Sequence, residues 1–333
     1  MENYETLEKL YYLKKPILEE YGERFNNCCA YKTALHIKPM KKGERVEKES
    51  FELFYLPINK VQLLQEKIHF NSKEITILFK ELPQIASKWC TREIMINEII
   101  KTNKIEGVHT TKKDIYNSMN SKKADRFTGV IKKYQQIIND NVEKIETIEE
   151  IKNLYTEIFE EDILKNPENK LDGIYFRNQP IYISNGLTNV HTGDKTEKEI
   201  ISHLTNLLKF MNDKDVPSLL KASITHYYIE YIHPFYDGNG RFGRLLFSMY
   251  LARKLDVFTG LSLSYAIFEE KEKYSKLFTQ VSNTKNYGEI TFFIMGMLEM
   301  VMKGQESIIK MLKEKSLKLK YAEDYISKLN LDK

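Results

Sequence analysis

The run His233-Pro234-Phe235-Tyr236-Asp237-Gly238-Asn239-Gly240-Arg241 places an imidazole, a carboxylate, two glycines and a guanidinium in one short segment. An imidazole of ordinary pKa, about 6.5, takes a proton from a hydroxyl near neutral pH, a role worth roughly 10²–10⁴-fold in rate, although a histidine taken singly more often has a structural place. Asp237 is an oxygen donor of the kind that binds Mg²⁺ together with substrate phosphates, and it serves equally as a helix N-cap. Gly238-Asn239-Gly240 permits close backbone approach at the start of a helix, where free N–H groups and the macrodipole favour an anion. Arg241 and Arg244 share one helical face in that first turn and oppose the dipole by roughly 0.3–1 kcal/mol each. A phosphate-bearing ligand turns that cost into attraction.

Two helices must hold this segment. Ile224, Tyr227, Tyr228 and Tyr231 follow helical spacing as far as Ile232, and Pro234 pushes His233 out of the α region, so the first helix ends there. A second helical face begins at Phe242 and continues through Leu245, Leu246, Met249 and Tyr250. Gly238-x-Gly240-x-x-Gly243 matches a dinucleotide-binding fingerprint, but it follows a helix and lacks a surrounding βαβ unit, which excludes that reading. No Walker-type phosphate loop and no H-E-x-x-H zinc motif is present.

Elsewhere the pattern is mainly helical. Residues 1–48 are mixed and Lys-rich with a turn at Lys41-Lys42-Gly43; helical spacing runs over 57–107, ending at Gly107, and again over 130–160. The one β signal is a hairpin at 180–190, in which Asn185-Gly186 supplies the positive φ angles of a tight turn. Residues 196–330 read as successive helices, and the Lys-rich stretch 303–333 as a solvated surface helix.

The 333 residues, 42% hydrophobic and 29% charged, are enough for a sizeable core. A net charge of +4 from 51 basic and 47 acidic residues, without a basic stripe, argues against nucleic acid as a partner. The longest apolar stretch, Ile290 to Met302, contains Glu299 and is too short to span a bilayer, and the N-terminus lacks a signal-peptide pattern. Cys28 and Cys29 are adjacent and Cys90 has no evident partner, so a reducing cytoplasm is the expected location.

His233 to Arg244 satisfies every position of the signature H-x-F-x-[DE]-G-N-G-R-x-x-R, and in this the chain resembles Fic proteins. Gly173-x-Tyr175-x-Arg177 and His191 upstream, and Tyr274-x-x-Leu277 downstream, extend the resemblance over roughly residues 90–300. It implies an all-α, mainly helical Fic fold with a small β-hairpin flap, divided into an N-terminal helical region 1–89, an inhibitory helix segment 90–110, a catalytic core 111–302 and a C-terminal helix 303–333. By the same resemblance His233 deprotonates a Ser, Thr or Tyr hydroxyl of a target protein or of the chain itself. Asp237 binds Mg²⁺; Gly238, Asn239 and Gly240 cradle the α- and β-phosphates of ATP; Arg241 and Arg244 meet the β- and γ-phosphates; Tyr274 lies by the adenine pocket; and Phe235 anchors the loop. Ile181, Tyr182 and Ile183 fall in the flap, whose free edge can pair with an extended target segment or be an ordinary edge hairpin.

Thr102-Asn103-Lys104-Ile105-Glu106-Gly107 ends a helix with a carboxylate at its unfavourable pole, and alone it reads as a solvated surface glutamate. It resembles the [ST]-x-x-x-E-[GN] inhibitory motif of Fic proteins, in which the Glu pairs with the second arginine, here Arg244. A buried pair of that kind costs about 3–5 kcal/mol to break. The resemblance therefore implies an AMP transferase restrained by Glu106, with a possible homo-oligomer, an unidentified target, and neither nucleic acid nor membrane as a partner. The alternatives are removal of AMP at the same site, with Glu106 positioning a water, or a nucleotide-sensing module without turnover.

Overall fold

The computed structural model describes residues 4–184, 186 and 188–328. The chain starts with two short helices, α1 (Leu7–Tyr12) and α2 (Ile17–Phe25), and then departs from the expected helical region 1–89 by forming strands. β1 (Tyr31–Ile37) pairs antiparallel with β4 (Phe51–Tyr55), and between them β2 (Met40–Lys41) and β3 (Glu44–Arg45) close a tight hairpin. The Lys41-Lys42-Gly43 turn is thus the tip of a hairpin, with Lys42 and Gly43 both at positive φ (54° and 78°). Period-2 alternation was present in Thr33, Leu35 and Ile37, all of which are buried, with exposed neighbours between them. Charged residues throughout the segment masked it.

The helical remainder is α3 (Asn59–Lys80), α4 (Gln84–Ile105), α5 (Lys112–Asn120), α6 (Thr128–Ile138) and α7 (Ile148–Lys165), then the hairpin β5 (Tyr182–Ser184) and β6 (Asn189–Thr192). After it come α8 (Glu197–Asn212), α9 (Ser218–Ile232), α10 (Asn239–Lys254), α11 (Val257–Gly260), α12 (Leu263–Glu269), α13 (Lys271–Val281) and α14 (Thr291–Lys328). The all-α architecture with a small hairpin is therefore as the pattern implied, apart from the extra strands near the N-terminus. Pro83 splits the 57–107 stretch into two helices, so the helix bearing Thr102 begins at Gln84 rather than at 90. The turn residue Asn185 and the neighbouring Leu187 lie outside the described residues, as do 329–333.

α9 is the central helix. Its described side chains from Leu219 to Ile232 are buried almost without exception, enclosed by α8, α10 and α14. A helix buried on all its faces belongs inside a bundle. α14 does not start at 303: it is one helix of 38 residues whose first half is core, packed mainly on α3, and Gly304, Gln305, Ile308, Ile309 and Leu312 stay buried beyond the expected boundary. Only from Leu317 onward do large apolar side chains such as Tyr321 and Tyr325 become exposed, so the solvated portion is its last few turns. Among the described residues no helix is long and apolar enough to cross a membrane.

The N-terminal helices are tied to this core by ionic contacts. Arg24 on α2 donates to Glu289 just before α14 (2.8 Å), the Glu289 side chain has no solvent exposure, and Tyr4 donates to its other oxygen at 2.5 Å. Removing one partner of a buried pair leaves an uncompensated charge and costs about 3–5 kcal/mol. Arg24→Ala is expected to lower the urea midpoint by an amount equivalent to about 3 kcal/mol. A loss below about 1 kcal/mol would show that the α2 contact is dispensable.

Candidate active site

The signature segment joins the carbonyl end of α9 to the amide end of α10. His233 caps α9 in the left-handed conformation (φ 55°, ψ 64°), where its N–H still reaches Ile229 O at 2.9 Å. This turns the chain out of the helix so abruptly that Phe235 drops into the core. There it is fully buried, stacked on Tyr155 of α7 at 3.6 Å between centroids and edge-on to Phe242 of α10. Asn239 locks the loop from inside: its Oδ1 accepts from Phe235 N (2.9 Å) and its Nδ2 donates to Phe235 O (2.8 Å). Its side chain is thereby committed to the loop, and what Asn239 can offer an anion is its backbone N–H.

α10 begins at Asn239, three residues before the first apolar position that marks its face, with Gly238 as an N-cap that supplies no side-chain hydrogen bond. The first-turn N–H groups therefore lack a capping side chain. Gly238 sits at φ 77°, and a Cβ on Gly240 would overlap Glu106 Oε1. The carboxylate of Glu106 thus packs directly against Gly240, beside the N-terminus of α10, where an anion is favoured.

Glu106 itself is the C-cap of α4. Its Oε1 lies 2.6 Å from Arg244 Nη2, and Arg244 also donates from Nε to Thr102 Oγ1 (2.9 Å) and from Nη2 to Thr102 O (3.1 Å). Burial by itself would raise the Glu106 carboxyl, but Arg244 overrides it and holds the carboxyl below its ordinary value. The two partners are unequally placed, since the Arg244 side chain is 1% exposed and that of Glu106 is 38%. Only the carboxylate side of the pair meets solvent, and the 3–5 kcal/mol expected of a fully buried pair overstates it.

His233 Nδ1 lies 3.2 Å from Glu230 O and 3.8 Å from Glu230 Oε2. A carbonyl partner at Nδ1 requires the N–H there, which leaves Nε2 as the nitrogen that can accept a proton. Burial lowers the His233 pKa to about 4, with the Arg177 guanidinium adding to the shift and the Glu230 carbonyl, Glu106 and Asp237 opposing it. Glu230 has the reverse fate: burial raises its carboxyl to about 8, and its Oε1 has no hydrogen-bond partner. It went unnoticed in the sequence, where its only mark is a position one helical turn before His233. Asp237 Oδ1 accepts from Gly238 N (2.6 Å), and Oδ2 is 3.2 Å from Arg241 Nη2; Arg241 is also paired with Asp162 of α7 (3.3 Å) and lies over the Phe159 ring.

These groups open on a cavity of about 770 Å³ whose walls include Glu106, His233, Asp237, Gly240, Arg244 and Tyr274. Tyr274 is buried, its hydroxyl 2.8 Å from His226 Nε2. Of the flap residues, Ile183 lines the cavity, Tyr182 is exposed, and Ile181 precedes β5, its carbonyl accepting from Gly193 N (3.2 Å). The second flap strand, β6, runs to Thr192, two residues past the expected end of the hairpin at 190. Among the described residues no group of three or more His, Cys, Asp or Glu forms a ready metal site. A hard cation here would rely on Asp237 together with ligand oxygens.

Residues 145–251 match the Fic/DOC family model, a span that contains the flap and the whole of His233–Arg244 but neither Glu106 nor Tyr274. Among solved structures, the chain is similar to a Fic family protein from Desulfovibrio desulfuricans G20, with 18% identity, 76% of this chain and 75% of that one covered, and a TM-score of 0.61. It is similar also to Fic-1 (residues 134–508) from C. elegans, at 17% identity, 76% and 73% coverage and a TM-score of 0.52. A Fic domain containing signaling protein from Bacteroides thetaiotaomicron matches at 19% identity over 73% of this chain and 98% of that one, with a TM-score of 0.51. At such identities the likeness is one of fold.

The low His233 pKa has a definite sign. The unfolded chain accepts a proton near pH 6.5 that the folded site refuses until about pH 4, so this residue weakens the fold as pH drops through that window and has no effect above it. His233→Ala is expected to remove up to about 1.4 kcal/mol per pH unit of acid sensitivity between those limits. An NMR titration of the His233 ring should find its midpoint near 4, and a midpoint of 6 or above would contradict this account of the site.

Proposed function

We propose, taking the Fic/DOC domain at residues 145–251 as the premise, that this protein transfers AMP from ATP to a hydroxyl of a target protein or of itself. The observation that carries the reading is the Glu106 carboxylate lying against the Gly240 cradle at the amide end of α10, where a phosphate has the same electrostatic claim. Arg244, buried and already holding a carboxylate, is the natural partner for a terminal phosphate.

In the proposed reaction the target's oxygen attacks the α-phosphorus, the bond to the α–β bridging oxygen breaks, and pyrophosphate departs. His233 Nε2 takes the hydroxyl proton, while Glu230 O holds the N–H on Nδ1 and fixes the ring for that task. The first-turn amides of α10 and the guanidinium groups of Arg241 and Arg244 meet the negative charge. Asp237 is the carboxylate that would hold Mg²⁺ together with phosphate oxygens, and that ion would neutralise charge on the leaving pyrophosphate. Asp237 Oδ2 must then give up its contact with Arg241, which frees Arg241 for phosphate as well.

Glu106 restrains the reaction by claiming Arg244. Since the carboxylate of that pair is partly exposed, the restraint is moderate and reversible by competition. A second reading, removal of AMP from a modified target, is favoured by the same carboxylate, because it is partly exposed and shares the cavity with His233, where it can orient a water.

The deciding experiment incubates wild type, Glu106→Gly, and Glu106→Gly with His233→Ala, with Mg²⁺ and α-phosphate-labelled ATP. Glu106→Gly should label itself at least about tenfold more than wild type, as expected for loss of about 1.4 kcal/mol of competition for Arg244, and the double variant should show no label. Equal labelling of wild type and Glu106→Gly removes the restraint from the account. No label on any of the three removes AMP transfer from it.

A further inference from the structure

Arg45, on the N-terminal hairpin and outside the 145–251 span, reaches the flap and the catalytic helix with a single side chain. Its Nε donates to Thr192 O of β6 (3.1 Å), its Nη2 donates to Tyr231 O at the end of α9 (2.9 Å), and its Nη1 is paired with Asp194. The guanidinium also stacks on the Tyr231 ring, 4.1 Å from its centroid, and the side chain is only 4% exposed. A planar fork of donors suits this bridging in a way a lysine ammonium does not.

The same hairpin seals one side of the flap. Thr192 Oγ1 donates to Gly43 O (2.7 Å), and a Cβ on Gly43 would overlap the Asn189 carbonyl. The hairpin tip therefore lies directly on the backbone of β6. β5 has no second strand partner among the described residues. Around the end of α9 the other carbonyls are held in the same fashion. Asp194 N donates to Ile232 O (2.9 Å), Arg177 Nε to His233 O (2.8 Å), and His191 Nε2 lies 3.0 Å from Tyr231 O, with its ring 6.1 Å from that of His233.

We propose that Arg45 is a positioning residue for group transfer: it clamps flap strand β6 to the last turn of α9, so that a target segment can add only along β5 and its hydroxyl is presented to His233 in one pose. This rests on the AMP-transfer reading for its chemistry, and on geometry alone for the clamp. A displacement of about 1 Å at a reacting centre costs on the order of 10²-fold in rate, and the contacts of Arg45 go to Thr192, Asp194 and Tyr231 rather than to the first turn of α10.

The test uses the full chain with Arg45→Gln, Arg45→Lys and the control Lys38→Ala, which removes only the exposed pair of Lys38 with Glu47. In the wild-type background, amide hydrogen exchange at Gly193 and Asp194, whose N–H groups bond Ile181 O and Ile232 O, reports the clamp without nucleotide. In the Glu106→Gly background, ATP affinity and single-turnover self-labelling are measured separately. Arg45→Gln is expected to speed exchange at both amides at least about tenfold and to slow labelling by about 10–100-fold, with ATP affinity within twofold. Arg45→Lys should recover part of the rate, and Lys38→Ala should match its parent. Unchanged exchange overturns the clamp, and a parallel loss of ATP affinity, labelling and melting temperature overturns a positioning role in favour of a purely structural one. If Glu106→Gly itself fails to label, the AMP-transfer reading falls while the exchange data still decide the clamp. Should Arg45→Gln not fold, Gly43→Ala, which presses on the Asn189 carbonyl, takes its place under the same expectations.

Discussion

The site is governed by the meeting of two helix ends of opposite polarity. α9 finishes with unsatisfied carbonyls and α10 starts with unsatisfied N–H groups, a few residues apart and both deep in the protein. Each end must be answered, and each is answered by charge. The carbonyl end collects Arg177 and Arg45, while beside the amide end lies the carboxylate of Glu106, paired with Arg244. Phe235, wedged on Tyr155, keeps the connecting loop from relaxing to a less demanding course. The imidazole of His233 lies between these two ends, on a residue whose backbone takes the left-handed turn that closes α9.

Desolvation is the second organising effect. The same burial that drives His233 down to about 4 drives Glu230 up to about 8, so an ordinary base and an ordinary acid next to each other are both kept neutral around pH 7. The charged groups Arg244 and Glu106, like Arg241 and Asp237, have direct partners. The interior thus separates neutral proton-handling groups from charged anion-handling groups within one cavity.

Much of this was legible in the sequence because it is local. Pro234 and the glycines set the loop, the apolar spacing of α9 and of α10 set its supports, and the resulting segment spans few residues. Asn239 was legible as part of a motif but not in its role, since its hydrogen bonds to Phe235 depend on a turn that folds back on itself. The strands β1 to β4 were missed because their polar positions carry lysine and glutamate, which blur an alternation visible only in Thr33, Leu35 and Ile37. Arg45 could not have been found: its meaning lies in contacts with Thr192, Asp194 and Tyr231, all more than a hundred residues away. The buried half of α14 was misjudged because lysines at its solvent side hid a core stripe through Ile308 and Leu312.

Glu106 caps a helix of 22 residues, a rod of about 33 Å whose other end is capped by Pro83. In the proposed AMP transfer Arg244 cannot serve the rod and an incoming phosphate equally, and on that reading the two are thermodynamically linked. Any ligand or protein that grips α4 and loosens Glu106 must, by reciprocity, hold the nucleotide-loaded form more tightly than the empty one, and by the same factor. The size of that factor is bounded by how much Arg244 prefers one partner over the other. A half-solvated carboxylate sets the bound low, and a low bound is what lets such a control be graded instead of all-or-none.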